Sequence, residues 1–275
     1  LAPTFLAALQ QGRPAAVLVH LLLPWLFAAG AVAYRSWGAS GTASLLLAAV
    51  LACAPVLVLP LAVLWVVALV IARRGIIRVL WLLVPTLVMF APLIWQRGFV
   101  EARWWGLLAD PGPVWAGPQA GVDAAARASV AAGFPAGDGA GWPALFEAMG
   151  LPGGTLVALI LVLPLAVLAL LALLTPRIGA AAVLVGSALL GVGTGFAATL
   201  LFIRTNGEAS IALWPGTGVS LAWLGATGAA IVALHALGGR ARRSRLWWAA
   251  GVMALTITVL AVPTLGAIAR GDSQL

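Results

Sequence analysis

The closest grouping of chemically active side chains in the sequence follows an apolar run that ends at Trp95. Arg97, Glu101 and Arg103 come next, and Asp110 lies a few residues further on. A guanidinium can bind two oxygens of one phosphate through its planar fork. Arg97 and Arg103 are therefore candidates for holding a lipid phosphate at a membrane surface. Glu101 and Asp110 are the candidates for a catalytic base.

An ordinary structural explanation fits the same residues. Arg97 and Glu101 are four residues apart, so on an α-helix they would share a face and form a surface ion pair. Exposed pairs of this kind are common and contribute little to stability. Trp104, next to Arg103, is a further candidate for contacting a substrate, although tryptophan is also enriched at membrane interfaces in general. The sequence leaves both explanations open.

The other reactive residues lie within apolar runs, and their surroundings favour packing roles. His20 and His235 would be ionisable groups inside a membrane, which makes them functional candidates, but none of these runs contains an acid that could share a proton. Cys53 is the lone cysteine and has no partner for an intrachain disulfide. Gly191 and Gly195 do not fit a nucleotide-binding loop and instead predict close contact between helices. We expect no metal site and no cofactor in this chain.

Composition indicates the class of protein. Apolar residues make up 63% of the chain and charged residues 8%, whereas a soluble domain has about 25% charged residues. The sequence therefore predicts a polytopic membrane protein. The net charge of +8 comes from fifteen arginines and seven acids. In a membrane protein such an excess reflects topology and contact with anionic lipid, so we expect no binding of nucleic acid.

The charges are sorted among the gaps that separate the apolar runs. Eight of the fifteen arginines lie in three short gaps that contain no acid, and all seven acids lie elsewhere. Cytoplasmic loops are enriched in basic residues, so these gaps are predicted to face the cytoplasm from a bacterial plasma membrane; they are residues 73–78, 177 and 239–245. The runs expected to span from this pattern are Pro14–Tyr34, Val79–Trp95, Thr155–Thr175, Ile178–Ile203, Gly218–Leu237 and Leu246–Ala269.

The run Ala43–Ala72 allows two structures. As a straight helix its thirty residues would extend about 45 Å, against a hydrocarbon core of about 30 Å. Pro55 and Pro60 interrupt it. The run is either one long, kinked span or a short half-helix that turns near these prolines and returns. The two alternatives place Arg35 on opposite sides of the membrane, so the direction of the first span stays open.

The gap Gln96–Gly154 is the longest stretch between apolar runs. At about 60 residues it exceeds an ordinary connection, and we expect it outside the cell, as a segment of a single membrane domain covering residues 1–275. Within it, Asp123–Val130 predicts one or two helical turns, and Pro143–Met149 predicts a short amphipathic helix on the surface. The loop Arg204–Thr217 is expected on the same side, where it could fold over this segment.

Several motifs with proline or aromatic residues punctuate the apolar runs: Val19–Trp25, Leu51–Pro60, Val84–Pro85, Ala91–Trp95, Leu108–Gly112 and Leu213–Gly216. Together they resemble the C-terminal membrane region of large actinobacterial family-2 glycosyltransferases. The interrupted run is also similar to polyprenyl-dependent glycosyltransferases of the C superfamily. The resemblance implies an upstream cytoplasmic catalytic domain and a polyprenyl-phosphate-linked sugar as a partner.

The resemblance carries over no catalytic residue. The 275 residues contain neither an Asp-x-Asp motif nor a Rossmann-like segment, and no acid precedes Glu101. We therefore expect the sequence, which begins at Leu1, to be a fragment of a longer chain.

The predicted fold is an all-α, polytopic bundle of about seven transmembrane helices, with six to eight as the range. The expected function is that of the membrane-embedded portion of a glycosyltransferase in cell-envelope polysaccharide or lipid-linked glycan synthesis. Two alternatives remain: a transporter or flippase for a lipid-linked substrate, and a non-catalytic membrane scaffold. The apolar runs contain few polar residues, which argues against ion-coupled transport.

Overall fold

The computed structural model describes residues 2–72, 75–111, 130, 133–134, 146, 149–150, 153–205, 209–238, 251, 254–255, 258–259, 261–263 and 265. The chain divides into two compact units. Unit A consists of Pro14–Ala116 and Leu201–Leu213. Unit B consists of Leu1–Arg13, Gly117–Leu200 and Trp214–Leu275.

Helices make up almost all of the described chain. The α-helices are α1 (Pro3–Gln10), α2 (Pro14–Val32), α3 (Trp37–Cys53), α4 (Val58–Ile71), α5 (Ile76–Trp81), α6 (Leu83–Ile94), α7 (Gly154–Leu171), α8 (Ile178–Leu200) and α9 (Gly216–Gly238). Short 3-10 helices cover Pro55–Leu57, Trp104–Leu108 and Ala172–Leu174, and a π-helix covers Trp95–Val100. Strands β1 (Phe202–Thr205) and β2 (Ala209–Ala212) pair antiparallel.

Among the described residues, four helices are long and apolar enough to cross a membrane: Pro14–Val32, Ile76–Val100, Ile178–Leu200 and Gly216–Ala236. The apolar helices Trp37–Cys53, Pro55–Ile71 and Leu159–Leu174 are shorter. The helical, membrane-type fold predicted from composition is thereby confirmed. The total of about seven spans stays a prediction.

Several predicted features lie wholly or mostly outside the described residues. They are the last span Leu246–Ala269, Arg73 and Arg74, the arginines of residues 239–245, and most of Asp123–Val130 and Pro143–Met149.

The structure corrects two of the predicted spans. The span Val79–Trp95 is longer, because the helix begins at Ile76 and continues to Val100. The span Ile178–Ile203 is shorter, because α8 ends at Leu200 and the chain continues into β1. Aromatic and β-branched residues favour strands, and an Asn-Gly pair between two such segments favours a hairpin. The predicted loop Arg204–Thr217 therefore contains most of a β-hairpin and the start of α9.

Unit A resolves the interrupted apolar run into two helices. α3 ends at Cys53, because Ala54 precedes Pro55 and has non-helical backbone angles of φ −145° and ψ 82°. A 3-10 turn at Pro55–Leu57 then leads into α4. Pro60 lies in the first turn of α4, where a missing N–H removes no helical hydrogen bond. The first proline thus ends a helix, and the second is accommodated at the start of the next one.

The start of α3 and the end of α4 lie close together at one end of unit A. A Cβ atom placed on Gly75, just after α4, would lie 2.6 Å from the carbonyl oxygen of Tyr34, just before α3. Nη1 of Arg78 donates to the carbonyl oxygens of Tyr34 (2.9 Å) and Arg35 (2.8 Å). A single kinked span would instead separate its ends by about 45 Å. Of the two alternatives that the sequence left open, the structure adopts the hairpin, which we call the α3–α4 hairpin.

Two further hydrogen bonds attach the α3–α4 hairpin to α5. The buried hydroxyl of Ser40 donates to the carbonyl oxygen of Arg78 (2.6 Å), and the indole Nε1 of Trp65 donates to that of Val79 (2.8 Å).

α2 packs against α3 through a stripe of buried residues at helical spacing: Ala16, Val19, Leu23 and Leu26. Unit A is therefore built around α3, which contacts α2, α5 and α6.

Unit B is built on a close contact between α8 and α9. A Cβ atom on Gly191 would collide with the backbone nitrogen of Ala222, and one on Gly218 would lie 2.5 Å from the backbone nitrogen of Gly195. A Cβ atom on Gly193 would meet nothing within 4 Å. The helix-contact role predicted for Gly191 and Gly195 is confirmed, because only small residues allow two backbones to approach this closely.

One part of the predicted outer segment lies in the core of unit B. Val130 and Phe134 are fully buried and pack with Leu165, Val219 and Trp223. The indole Nε1 of Trp223 donates to the carbonyl oxygen of Gly133 (2.7 Å), which the positive φ of that glycine (94°) presents to the ring. The segment Gln96–Gly154 therefore contributes side chains to the core of unit B, and its predicted position outside the cell stays a prediction.

Candidate functional site

Residues 95–110 of unit A, which we call the rim, form the candidate site. They begin where α6 widens into the π-helix Trp95–Val100. The backbone N–H of Glu101 donates to the carbonyl oxygen of Gln96 (3.0 Å), five residues earlier, and that of Arg103 donates to the carbonyl oxygen of Arg97 (2.8 Å). π-Helical turns are rare and occur frequently at functional sites. The fold thus fixes the rim backbone immediately after a long apolar helix.

The chain reverses direction at Ala102. This residue has a φ of 52° and is the one non-glycine residue with positive φ in the described chain. The left-handed conformation costs an alanine about 1–2 kcal/mol. The hydrogen bonds of Glu101 and Arg103 on either side hold the reversal in place. The chain can then enter the 3-10 helix Trp104–Leu108.

Three aromatic rings stack along the rim. The centroids of Trp95 and Phe99 are 5.5 Å apart, and those of Phe99 and Trp104 are 4.9 Å apart in an edge-to-face arrangement. Gly98 lies beneath the last ring, since a Cβ atom there would be 2.9 Å from Cη2 and Cζ3 of Trp104. Edge-to-face aromatic pairs stabilise beyond their buried area. The stack therefore fixes Trp104 and with it the neighbouring Arg103.

Arg97 and Arg103 both approach Gly106, Arg97 through its guanidinium and Arg103 through its Cβ atom. A Cβ atom on that glycine would be 3.8 Å from Nη1 of Arg97 and 3.9 Å from Cβ of Arg103. The predicted ion pair between Arg97 and Glu101 is not formed, because within the described residues the Glu101 carboxylate accepts from Nε2 of Gln96 (3.3 Å). The π-helix explains the difference: it changes the angular spacing that would bring residues four apart onto one face. No ion pair within the described chain engages either guanidinium.

The two predicted acids occupy different surroundings. Glu101 is exposed and bonded to Gln96, whereas Asp110 is half-buried beyond the 3-10 helix. Neither carboxylate is joined to Arg97 or Arg103 by a hydrogen bond or ion pair within the described residues. The structure therefore gathers the arginines and Trp104, but it does not bring a candidate base against them.

Two other segments of unit A lie beside the rim. The turn Pro55–Leu57 of the α3–α4 hairpin and strand β1 both contact the 3-10 helix Trp104–Leu108. Strand β1 includes the first two residues of the predicted loop Arg204–Thr217. That this loop folds over the outer segment stays a prediction. The rim and the hairpin turn thus lie at one end of unit A. Tyr34, Arg35 and Arg78 lie at the opposite end, where the α3–α4 hairpin begins and closes.

That opposite end holds a cluster of arginines and aromatics that the sequence did not single out. The guanidinium carbon of Arg35 lies 5.2 Å from the Tyr34 ring centroid, and that of Arg78 lies 5.8 Å from the Trp37 ring centroid. Nε of Arg35 also donates to the Tyr34 hydroxyl (2.8 Å). The alternation of Tyr, Arg and Trp between two apolar runs was the available signal. These contacts indicate a structural role.

The remaining candidates stay dispersed. His20 lies within α2, His235 in the last turn of α9, and the half-buried Cys53 at the end of α3. Within the described ranges, no three residues of the types His, Cys, Asp and Glu are grouped as metal ligands would be. Glu208, the acid of the predicted loop Arg204–Thr217, lies outside the described residues.

Comparison with known proteins identifies no relative. No protein-family profile matches the chain, and no curated protein or solved structure is similar to it.

Proposed function

We propose that the chain is the membrane-embedded portion of a glycosyltransferase that acts in cell-envelope polysaccharide or lipid-linked glycan synthesis. The rim would hold the phosphate of a polyprenyl-phosphate-linked sugar. The observation that supports this proposal most strongly is the approach of the Arg97 guanidinium to Gly106, three residues after Arg103 and next to a fixed aromatic stack. The resemblance to actinobacterial family-2 enzymes supplies the reaction class.

The chemistry of the rim suits this substrate. Two guanidiniums can bind several oxygens of a phosphate or diphosphate, and exposed rings next to them can contact a sugar or the first isoprene units. The apolar helix Ile76–Val100 ends at the rim, so a lipid chain could run along it while its phosphate stays at the surface. In this proposal Glu101 or Asp110 serves as the base once the acceptor is bound.

The proposal includes an orientation. The end of unit A with Arg35 and Arg78 would face the cytoplasm, as would residues 73–78, 177 and 239–245. The rim would then face outwards, across a plasma membrane. Because the α3–α4 hairpin returns to the end from which it starts, α2 would cross the membrane from outside to inside. Arg13 would lie on the outer side.

The test is glycan transfer by the full-length protein in native membranes. We expect the double substitution Arg97→Gln and Arg103→Gln to reduce transfer at least tenfold, since each lost bond to a charged phosphate contributes about 1.5–3 kcal/mol. The matched control is Arg177→Gln, which removes an exposed arginine from the turn between α7 and α8. Unchanged transfer in the double variant would refute the role of the rim.

A flippase for a lipid-linked substrate is the second candidate. The observation that favours it is the interruption of an apolar run at Ala54 and Pro55, since transporters often build their sites from discontinuous helices. Purified protein in liposomes distinguishes the two functions. Movement of a labelled polyprenyl-phosphate sugar across the bilayer, without transfer of its sugar, would favour the flippase.

A further inference from the structure

Unit B contains a second group of polar side chains, which the proposed function does not use. It lies where α9 begins at Gly216. The flanking residues Trp214 and Thr217 are 2% and 1% exposed. Among the residues that the structure describes, neither the indole Nε1 of Trp214 nor the hydroxyl of Thr217 has a hydrogen-bond partner. Buried polar groups are nearly always bonded, because leaving them without a partner costs free energy. Two such groups within four residues of sequence therefore point to a missing ligand.

The Trp214 ring is folded onto the start of α9. A Cβ atom on Gly216 would collide with Cζ2, Cη2 and Cζ3 of this ring. Nε1 is bonded to the ring carbon next to Cζ2, so the donor is held beside the first helical turn. The guanidinium carbon of Arg13 lies 5.2 Å from the centroid of the same ring. A positively charged group therefore lies close to the ring that covers the helix end.

Several hydrogen-bond donors lie at this position. Nε1 of tryptophan only donates, and a threonine hydroxyl can donate. The first N–H groups of a helix have no helical acceptor, and here the first helical bond is that from Val219 to Pro215 (3.1 Å). The N–H groups of Gly216, Thr217 and Gly218 therefore precede the hydrogen-bonded part of the helix. The helix dipole adds positive potential at this end.

We propose that the start of α9 is a binding site for a phosphate group, with Trp214 Nε1 and Thr217 Oγ1 as its side-chain donors. The phosphate belongs either to a lipid headgroup or to a free phosphate ion, since both present the same oxygens. α9 is apolar enough to cross a membrane, so its first turn lies at the depth of the headgroups. The site stands independently of glycan transfer and of the rim.

The test measures phosphate binding by the full-length protein in a neutral detergent. Thermal unfolding is followed with increasing inorganic phosphate, against chloride at equal ionic strength. In a second arm, native mass spectrometry compares lysophosphatidic acid with a monoacylglycerol of the same chain length. Stabilisation by inorganic phosphate identifies the free ion as a ligand, and selective retention of lysophosphatidic acid identifies a lipid headgroup.

The variants Thr217→Val and Trp214→Phe remove one donor each and keep most of the packing. We expect each to weaken phosphate binding about tenfold and Thr217→Ser to restore it. The matched controls are Thr227→Val and Trp223→Phe, whose polar atoms already donate to the carbonyl oxygens of Trp223 (2.6 Å) and Gly133 (2.7 Å). The controls should bind phosphate as the wild type does.

Two results would overturn the proposal. One is the absence of any response to inorganic phosphate and to lysophosphatidic acid, which would mean that the buried donors hold no more than water. The other is binding that is equally strong in the wild type, Thr217→Val and Trp214→Phe, which would place the phosphate elsewhere.

Discussion

Arg78 and Tyr34 are 44 residues apart in sequence, yet Nη1 of Arg78 lies 2.9 Å from the carbonyl oxygen of Tyr34. The same nitrogen lies 2.8 Å from the carbonyl oxygen of Arg35. One guanidinium therefore closes the α3–α4 hairpin by bonding the chain just before it from the start of the next helix. The rim contacts the hairpin turn Pro55–Leu57 and therefore lies at the opposite end of α3 from Arg35.

We predict that Arg78→Gln destabilises the hairpin. It removes two hydrogen bonds that a charged donor makes. A hydrogen bond to a charged group contributes about 1.5–3 kcal/mol. Because both bonds are exposed, we expect the free energy of unfolding to fall by only about 1–3 kcal/mol in total. Thermal unfolding in detergent measures the change. Arg177→Gln is the control and should leave the midpoint unchanged. Equal midpoints for both variants would contradict the role assigned to Arg78.

The contact between α8 and α9 predicts opposite effects for two neighbouring glycines. Gly191→Ala places a Cβ atom against the backbone nitrogen of Ala222 and should destabilise unit B by about 1–3 kcal/mol, the usual cost of overpacking. Gly193→Ala meets open space and should stabilise α8 by up to about 1 kcal/mol through helix propensity. Thermal unfolding of both variants provides the measurement. A similar change in both would show that the helices do not approach closely.

The aromatic stack of the rim predicts a rescue. Gly98→Ala places a Cβ atom 2.9 Å from Trp104 and should cost about 1–3 kcal/mol of stability. Gly106→Ala, with its nearest contact at 3.8 Å, is the control and should be tolerated. Adding Trp104→Ala to Gly98→Ala should relieve the clash, so the two substitutions would be non-additive. Additive losses of stability would mean that the ring does not lie on Gly98.

The proposed orientation predicts an asymmetric labelling pattern. In a Cys53→Ala background, which removes the one native cysteine, single cysteines are placed at Ala109 in the rim and at Gly38 near the Arg35 end. Both positions are exposed. A membrane-impermeant maleimide applied to intact cells should label Ala109→Cys, and Gly38→Cys only after permeabilisation. The reverse pattern would invert the proposed topology.

The sequence predicted the apolar helices well, because hydrophobicity and length alone determine which segments can span. It left Ala43–Ala72 open, since a proline such as Pro55 is compatible with a kink and with a turn. Contacts between residues far apart in sequence, such as the bonds of Arg78, Ser40 and Trp65, distinguish these alternatives. No local sequence pattern predicts such bonds.

The sequence predicted which residues form the candidate site but not their geometry. Arg97, Arg103 and Trp104 all lie in the rim, but the spacing of Arg97 and Glu101 assumed an α-helix where the chain forms a π-helix. α- and π-helical turns share their composition, so the sequence cannot separate them. The sequence did not identify Val130 and Phe134 as core residues, because glycine, proline and alanine dominate the segment around them. Their burial depends on Trp223, some 90 residues away.

The most direct measurement of the central claim is binding of a polyprenyl phosphate to the purified full-length protein, followed by native mass spectrometry. Wild type and Arg177→Gln should retain the lipid equally. Arg97→Gln with Arg103→Gln should bind it at least tenfold more weakly. Retention that is identical in all three proteins would contradict the account, because the rim would then not be where the phosphate is held.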